Sequence, residues 1–237
     1  MQKTIWLLIL LFFGLVLSII LRKKTPAKKS EKRIQQRTIE SVSNELEQEV
    51  FVRLEVALKK AGFDDFPSEM LLLAFKEEQK LQVYAKREGE LKFIKQYALT
   101  ASSGNLGPKL QEGDRQIPEG IYQIEYLNPN SSYHLSLKVN YPNEFDKSKT
   151  RFENVKEMGG DIFIHGKATT IGCIPIGDEA IEEVFLMAAK AFHHPIKVII
   201  SPRDFRKGKK YPSIASVDWE EELYNQVEVE LAKIPVP

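Results

Sequence analysis

From Thr4 to Leu21 the chain runs for eighteen residues without a charge, mostly Leu, Ile and Phe. As a helix rising 1.5 Å per residue such a run reaches ~27 Å, enough to cross a hydrocarbon core. It has no polar face, and no small-x-small cleavage site follows, because Ile19-Ile20-Leu21 leads directly into Arg22. Residues 1–22 are therefore expected to be an uncleaved single-pass anchor, with a cleaved signal peptide as the competing reading. Residues 23–44 read as a basic linker or frayed helix, and 45–66 as a helical lead-in with Val50, Leu54, Leu58 and Ala61 at helical spacing. After Pro67 the period shortens. Leu71–Phe75, Leu81–Ala85, Phe93–Tyr97, Ile121–Ile124, His134–Val139 and Asp161–His165 read as strands. Asp178 is then placed to cap a helix with Ile181, Val184, Phe185, Ala188 and Phe192 on its apolar face. A last buried strand follows at Ile196–Ile200, and a terminal helix at Asp218–Lys233. Many strands around one well-marked helix predict an α+β body over 67–205, a mixed sheet or sandwich, with a helical extension over 206–237.

Charge sharpens this picture. The 237 residues carry a net charge of only +1, but eight of the bases fall between Arg22 and Arg37 against the single acid Glu31. From residue 38 onward 25 bases face 32 acids, which argues against a nucleic-acid-binding body. The basic flank also sets up a conflict. The positive-inside rule would put that side of the anchor in the cytoplasm, whereas the chemistry below asks for the opposite. With one cysteine, Cys173, neither an internal disulfide nor a four-cysteine zinc site can form. No His or Cys spacing suits a metal, so neither a metal nor a cofactor is expected.

The segment His165-Gly166-Lys167-Ala168-Thr169-Thr170-Ile171-Gly172-Cys173 carries the candidate chemistry. A strand-end histidine followed after one loop by a cysteine can bring imidazole to sulfur, take the thiol proton and later protonate a leaving amine. Gly172 permits close approach of backbone N–H groups to a developing oxyanion.

This segment resembles the catalytic motif of the L,D-transpeptidases, the YkuD-type cell-wall enzymes. A second block agrees with it: Gly107-Pro108-Lys109, then Gly113-Asp114-Arg115-Gln116-Ile117-Pro118-Glu119-Gly120-Ile121-Tyr122. Asn128-Pro129-Asn130, Tyr133 and Tyr141-Pro142-Asn143-Glu144-Phe145-Asp146 add to the likeness, which spans roughly Leu71 to Pro202 and is strongest for the branch that releases Braun's lipoprotein from murein. Two departures stand out. Ile171 occupies the place of a second histidine, and Pro175 that of an arginine.

The resemblance implies a YkuD-like fold and a catalytic group of Cys173, His165 and Gly172. It also suggests substrate contacts at Thr170, Arg115, Lys109, Tyr141 and Gly166. The implied substrate is the peptidoglycan stem peptide, attacked at its diaminopimelate carbonyl, with a wall-linked lipoprotein as a further partner. The implied outcome is 3→3 cross-linking, protein attachment or release, and hence a role in cell wall and cell shape. That places the body outside the cytoplasmic membrane, in a periplasmic compartment. Two other readings are a membrane-tethered wall-binding module with the same fold and no catalysis, and a cytosolic thiol sensor.

Overall fold

Strand β1 (Met70–Phe75) is buried along its whole length, and its alternate side chains serve two different cores. Leu72 and Ala74 face one layer, while Leu71, Leu73 and Phe75 face the other. A strand covered on both sides reads as a continuous apolar run, as this one does. The computed structural model describes residues 36–237 apart from Ser216. The anchor expected at 1–22 and residues 23–35 of the expected linker lie outside these residues, and the rest of that linker, from Ile39, is helix. Among the described residues no helix is long and apolar enough to cross a membrane.

β1 pairs with β2 (Lys80–Arg87), which pairs with β3 (Glu90–Ala98), both antiparallel. On its other side β1 runs parallel to β8 (Lys197–Ser201). The sheet continues through β4 (Gly120–Asn128), β5 (Ser136–Val139), β6 (Phe163–His165) and β7 (Ile174–Pro175), in the order β3-β2-β1-β8-β4-β5-β6-β7. β4 changes partner midway: Gly120–Gln123 pair with β8, and Ile124–Asn128 with β5. A register break between Ile124 and Tyr126 marks the change, the kind of irregularity that bends a strand.

Helices cover both faces. α1 (Ile39–Lys60) and α3 (Asp178–Ala191) share the larger core through Val42, Val50, Leu54, Leu58, Ile181, Val184, Phe185 and Ala188. α4 (Glu220–Leu231) closes the opposite face with Leu223, Tyr224, Val227 and Leu231. The mixed α+β body thus follows the expected plan, with α3 as the helix after the cysteine.

Boundaries differ where caps decide them. α1 begins at Ile39, not Glu45, because Thr38 and Ser41 form a reciprocal capping box: the Thr38 hydroxyl accepts from Ser41 N at 3.0 Å. Gly177, not Asp178, is the N-cap of α3. Asp178 stands in the first turn, where its Oδ1 accepts from Lys167 N at 2.7 Å. Phe192 is the C-cap residue and is exposed. α4 is shorter than the expected 218–233 by two residues at each end. A six-residue helix, α2 (Glu144–Lys149), is capped by Asn143 and was not anticipated.

Candidate active site

The register of the outer strands assembles one face from four segments. Tyr126 pairs with Lys138 and Asn128 with Ser136; Ser136 pairs with His165 and Lys138 with Phe163; His165 pairs with Pro175. Paired residues project to the same side of a sheet and their chain neighbours to the other. The neighbours Leu137, Val139, Ile164 and Ile174 accordingly enter the core under α3. Cys173 immediately precedes β7, and continuing the alternation puts its side chain on the His165 face, one diagonal step from the imidazole. The contact of the Cys173 sulfur with Asp161 O, at 3.4 Å, fits that placement.

No hydrogen bond joins sulfur to imidazole. Cys173 Sγ instead donates to Asp161 O at 3.4 Å. His165 is 1% exposed, and the Tyr133 ring lies against it with centroids 4.5 Å apart. Its Nδ1 sits 2.6 Å from Gly166 O, and a carbonyl can only accept, so the neutral ring carries its proton on Nδ1 and keeps the Nε2 lone pair. Burial pushes the His165 pKa down, opposed by the Gly166 carbonyl. Burial pushes the Cys173 thiol up, helped by Asp161 and opposed by the Phe163 N–H, Lys138 and Lys109. Both groups are therefore neutral near pH 7. An imidazole that already holds the thiolate, as the sequence suggested, is not what the geometry provides.

The loop between them is fixed from within. Thr170 Oγ1 donates to Cys173 O at 2.7 Å and accepts from Gly172 N at 3.1 Å. The Thr170 hydroxyl is thereby committed to the turn, not to a substrate, and the Gly172 N–H is unavailable to an oxyanion. Gly172 adopts φ +136°, and a Cβ there would stand 3.0 Å from Gln116 O. Glycine is thus required both by conformation and by the approach of the 104–119 loop. At Gly166 a Cβ would fall 2.5 Å from Asp178 Oδ1 and 2.7 Å from Tyr133 O, so that glycine serves packing.

The remaining sequence candidates separate. Lys109 is buried, its ammonium bound to Asp114 Oδ1 at 2.6 Å and Gln111 O at 2.7 Å. Burial would raise the Asp114 pKa, but Lys109 and the N–H groups of Gln111, Gln116 and Leu110 outweigh it and hold the carboxyl below its ordinary value. Lys109 therefore braces a loop and offers no free cation to substrate. Tyr141 is also buried, its hydroxyl donating toward Lys109 O and Met158 O, which makes it a packing residue. Arg115 is exposed and stays available for contact. Ile171 is 76% exposed beside the cysteine. Sequence reasoning missed Lys138, whose signal was a lone lysine between Leu137 and Val139 in a strand. Among the described residues no group of three or more His, Cys, Asp or Glu is placed to hold a metal.

This arrangement, a buried histidine at a strand end and a cysteine at the start of the edge strand, lies inside the stretch 69–200 that matches the L,D-transpeptidase catalytic domain, YkuD. The chain belongs to that family. Among curated proteins it is 32% identical over 140 residues to the one named "Putative L,D-transpeptidase YafK" of Escherichia coli (strain K12). That match covers 57% of this chain and 54% of YafK, so the chain spans about half the length of the curated relatives it matches. Among solved structures, the helical cell shape determining protein Pgp2 from Campylobacter jejuni aligns with a TM-score of 0.48 and 23% identity. The alignment covers 68% of this chain and 57% of that one. Bd1075 of Bdellovibrio bacteriovorus aligns with a TM-score of 0.42 and 19% identity, covering 73% and 57%.

Proposed function

We propose that this L,D-transpeptidase-family protein is a cysteine acyltransferase or peptidase acting on peptidoglycan stem peptides at the diaminopimelate carbonyl. The observation that carries this reading is the shared face of Cys173 and His165, with His165 locked in the tautomer that leaves Nε2 as acceptor. His165 Nε2 takes the Sγ proton as sulfur bonds to the carbonyl carbon, and the C=O electron pair becomes an oxyanion. The Cys173 peptide N–H is the donor assigned to that oxyanion, since the Gly172 N–H is spent on Thr170. Collapse breaks the C–N bond, and the departing amine carries off the imidazolium proton, leaving a thioester. Water or an amine then attacks, gives its proton to His165, and the thiolate leaves and is reprotonated. Such proton relays commonly tighten only when substrate is bound, which accommodates the missing sulfur–imidazole bond.

Water, or release of a lysine-linked protein, is proposed as the favoured outcome over 3→3 cross-linking. Exposed Ile171 offers no hydrogen bond to orient an incoming amine. One such bond is worth ~0.5–1.5 kcal/mol, roughly a two- to twelve-fold preference. We place the body outside the cytoplasmic membrane behind a single-pass anchor, supported by the Thr4–Leu21 run and the wall-directed chemistry.

The test is incubation with tetrapeptide monomers, tetrapeptide dimers and a diaminopimelate–lysine conjugate, read by mass spectrometry against Cys173→Ala. Expected products are tripeptide and freed lysine in the wild type and none in Cys173→Ala or His165→Ala. Product formation by Cys173→Ala would defeat the mechanism. Absence of turnover by the wild type, with retained binding to isolated wall, would favour the non-catalytic binding module.

A further inference from the structure

Lys138 is 7% exposed and shares the face that carries Cys173 and His165. Its ammonium donates to Val139 O at 3.2 Å and to Gly160 O, and it stands 5.4 Å from the centroid of the Phe163 ring. Among the described residues it forms no salt bridge. Every other buried lysine on this body has a carboxylate: Lys76 has Glu119 and Lys109 has Asp114. A buried ammonium held only by carbonyls is expensive, and a further anion formed beside it would be stabilised. The register identifies where that anion arises. Lys138 pairs with Phe163, and continuing the β6–β7 register by one step sets Cys173 opposite Phe163.

We propose that Lys138 is the counter-ion of the Cys173 thiolate, a positioning residue that keeps a desolvated thiol ionisable. The charged groups around the sulfur are Lys138, Lys109 and Asp161, and those around Lys138 are Glu125, Asp161 and Cys173. Lys109 is already bound to Asp114 and Asp161 opposes ionisation, which leaves Lys138, attracted by Glu125 and Asp161 but in direct contact with no carboxylate, as the cation open to the sulfur. Its own pKa is lowered by burial, against the pull of Glu125, Asp161 and Cys173, so formation of the thiolate also holds the ammonium protonated. The proposal rests on Cys173 being the nucleophile.

Cys173 is the single cysteine of these 237 residues, so alkylation of this chain by iodoacetamide reports on it alone. A nearby opposite charge moves a pKa by about 1–3 units. In Lys138→Met the rate against pH is expected to shift up by at least about one unit, with about tenfold slower alkylation at pH 8 and the same plateau at high pH. Lys138→Arg is expected to stay close to wild type. Circular dichroism verifies folding, and Lys138→Gln replaces the Met variant if that one unfolds. A role confined to holding the Val139 and Gly160 carbonyls would lower stability and leave the profile in place. An unmoved profile in a folded Met or Gln variant therefore overturns the proposal. Alkylation needs no turnover, so the two readings fail separately. An active Cys173→Ala would remove the reaction, whereas an unshifted Lys138 variant beside an inactive Cys173→Ala would remove only the counter-ion.

Discussion

Removing one hydroxyl from the carboxyl-terminal helix is predicted to loosen the loop that backs the site. Tyr224 of α4 donates to Glu119 Oε2 at 2.6 Å. Glu119 is 0% exposed, and its Oε1 meets Lys76 Nζ at 2.8 Å and accepts from Gly107 N at 2.7 Å. Lys76 also binds Gly107 O and Ile117 O, each at 2.9 Å. This closed network clamps the 104–119 loop, whose Gln116 carbonyl backs Gly172. In Tyr224→Phe the shape is kept and one buried carboxylate oxygen loses its donor. Hydrogen bonds to charged groups contribute about 1.5–3 kcal/mol. For a body of this size 1 kcal/mol moves Tm by ~2–4 °C, so a fall of about 3–12 °C is expected. Thermal unfolding followed by circular dichroism measures it, and urea titration supplies the free energy. Combining Tyr224→Phe with Glu119→Gln should cost less than the sum of the two single changes, because both act on one bond. A Tm within 1 °C of wild type would refute the clamp.

Two further perturbations test the packing around the site. Gly166→Ala drives a methyl onto Tyr133 O and Asp178 Oδ1, and should cost on the order of 1–3 kcal/mol in urea unfolding together with most of the turnover; a neutral effect would show that the 133–134 turn yields freely. Asp146 is raised to about 6 by burial, against the Asn143 N–H, the Tyr122 hydroxyl and Lys147. A folded-state pKa above the unfolded value near ~3.9 means its contribution is full below about pH 4 and is lost as pH rises through 6, on the order of 3 kcal/mol. Stability measured from pH 4 to 7 should decline less in Asp146→Asn, and an identical slope would contradict that assignment.

What was legible in the sequence depended on how far apart the cooperating residues lie. His165 and Cys173 stand eight positions apart across one loop, so that they lie near each other could be read directly, whereas the sulfur's hydrogen bond to Asp161 O in place of the imidazole could not. The first half of β4 was found because it alternates, with Tyr122 and Ile124 buried and Gln123 and Glu125 exposed. β7 escaped because two residues carry no period, yet its pairing with β6 sets the side on which Cys173 projects. Lys109 and Tyr141 looked like substrate contacts because residue type alone does not reveal burial; Asp114 and the Met158 carbonyl had already claimed them. Glu119 looked like one more acid in a turn, since its partner Tyr224 lies 105 positions away, beyond the stretch that the family covers.

The neutrality of the resting pair follows from the same geography and changes what reactivity can reveal. A strand-end histidine packed under Tyr133 gives up hydration, and so does a cysteine facing Phe163 and the Asp161 carbonyl. Desolvation penalises whichever form is charged, so it raises the thiol and lowers the imidazole together. A pre-formed thiolate–imidazolium pair would need the two rings of solvation replaced by close contact, and no such contact exists at rest. Under the proposed acyl transfer, proton transfer then accompanies attack on the carbonyl. Slow alkylation near neutral pH is consequently compatible with a competent enzyme, and only turnover distinguishes it from an inert wall-binding relative.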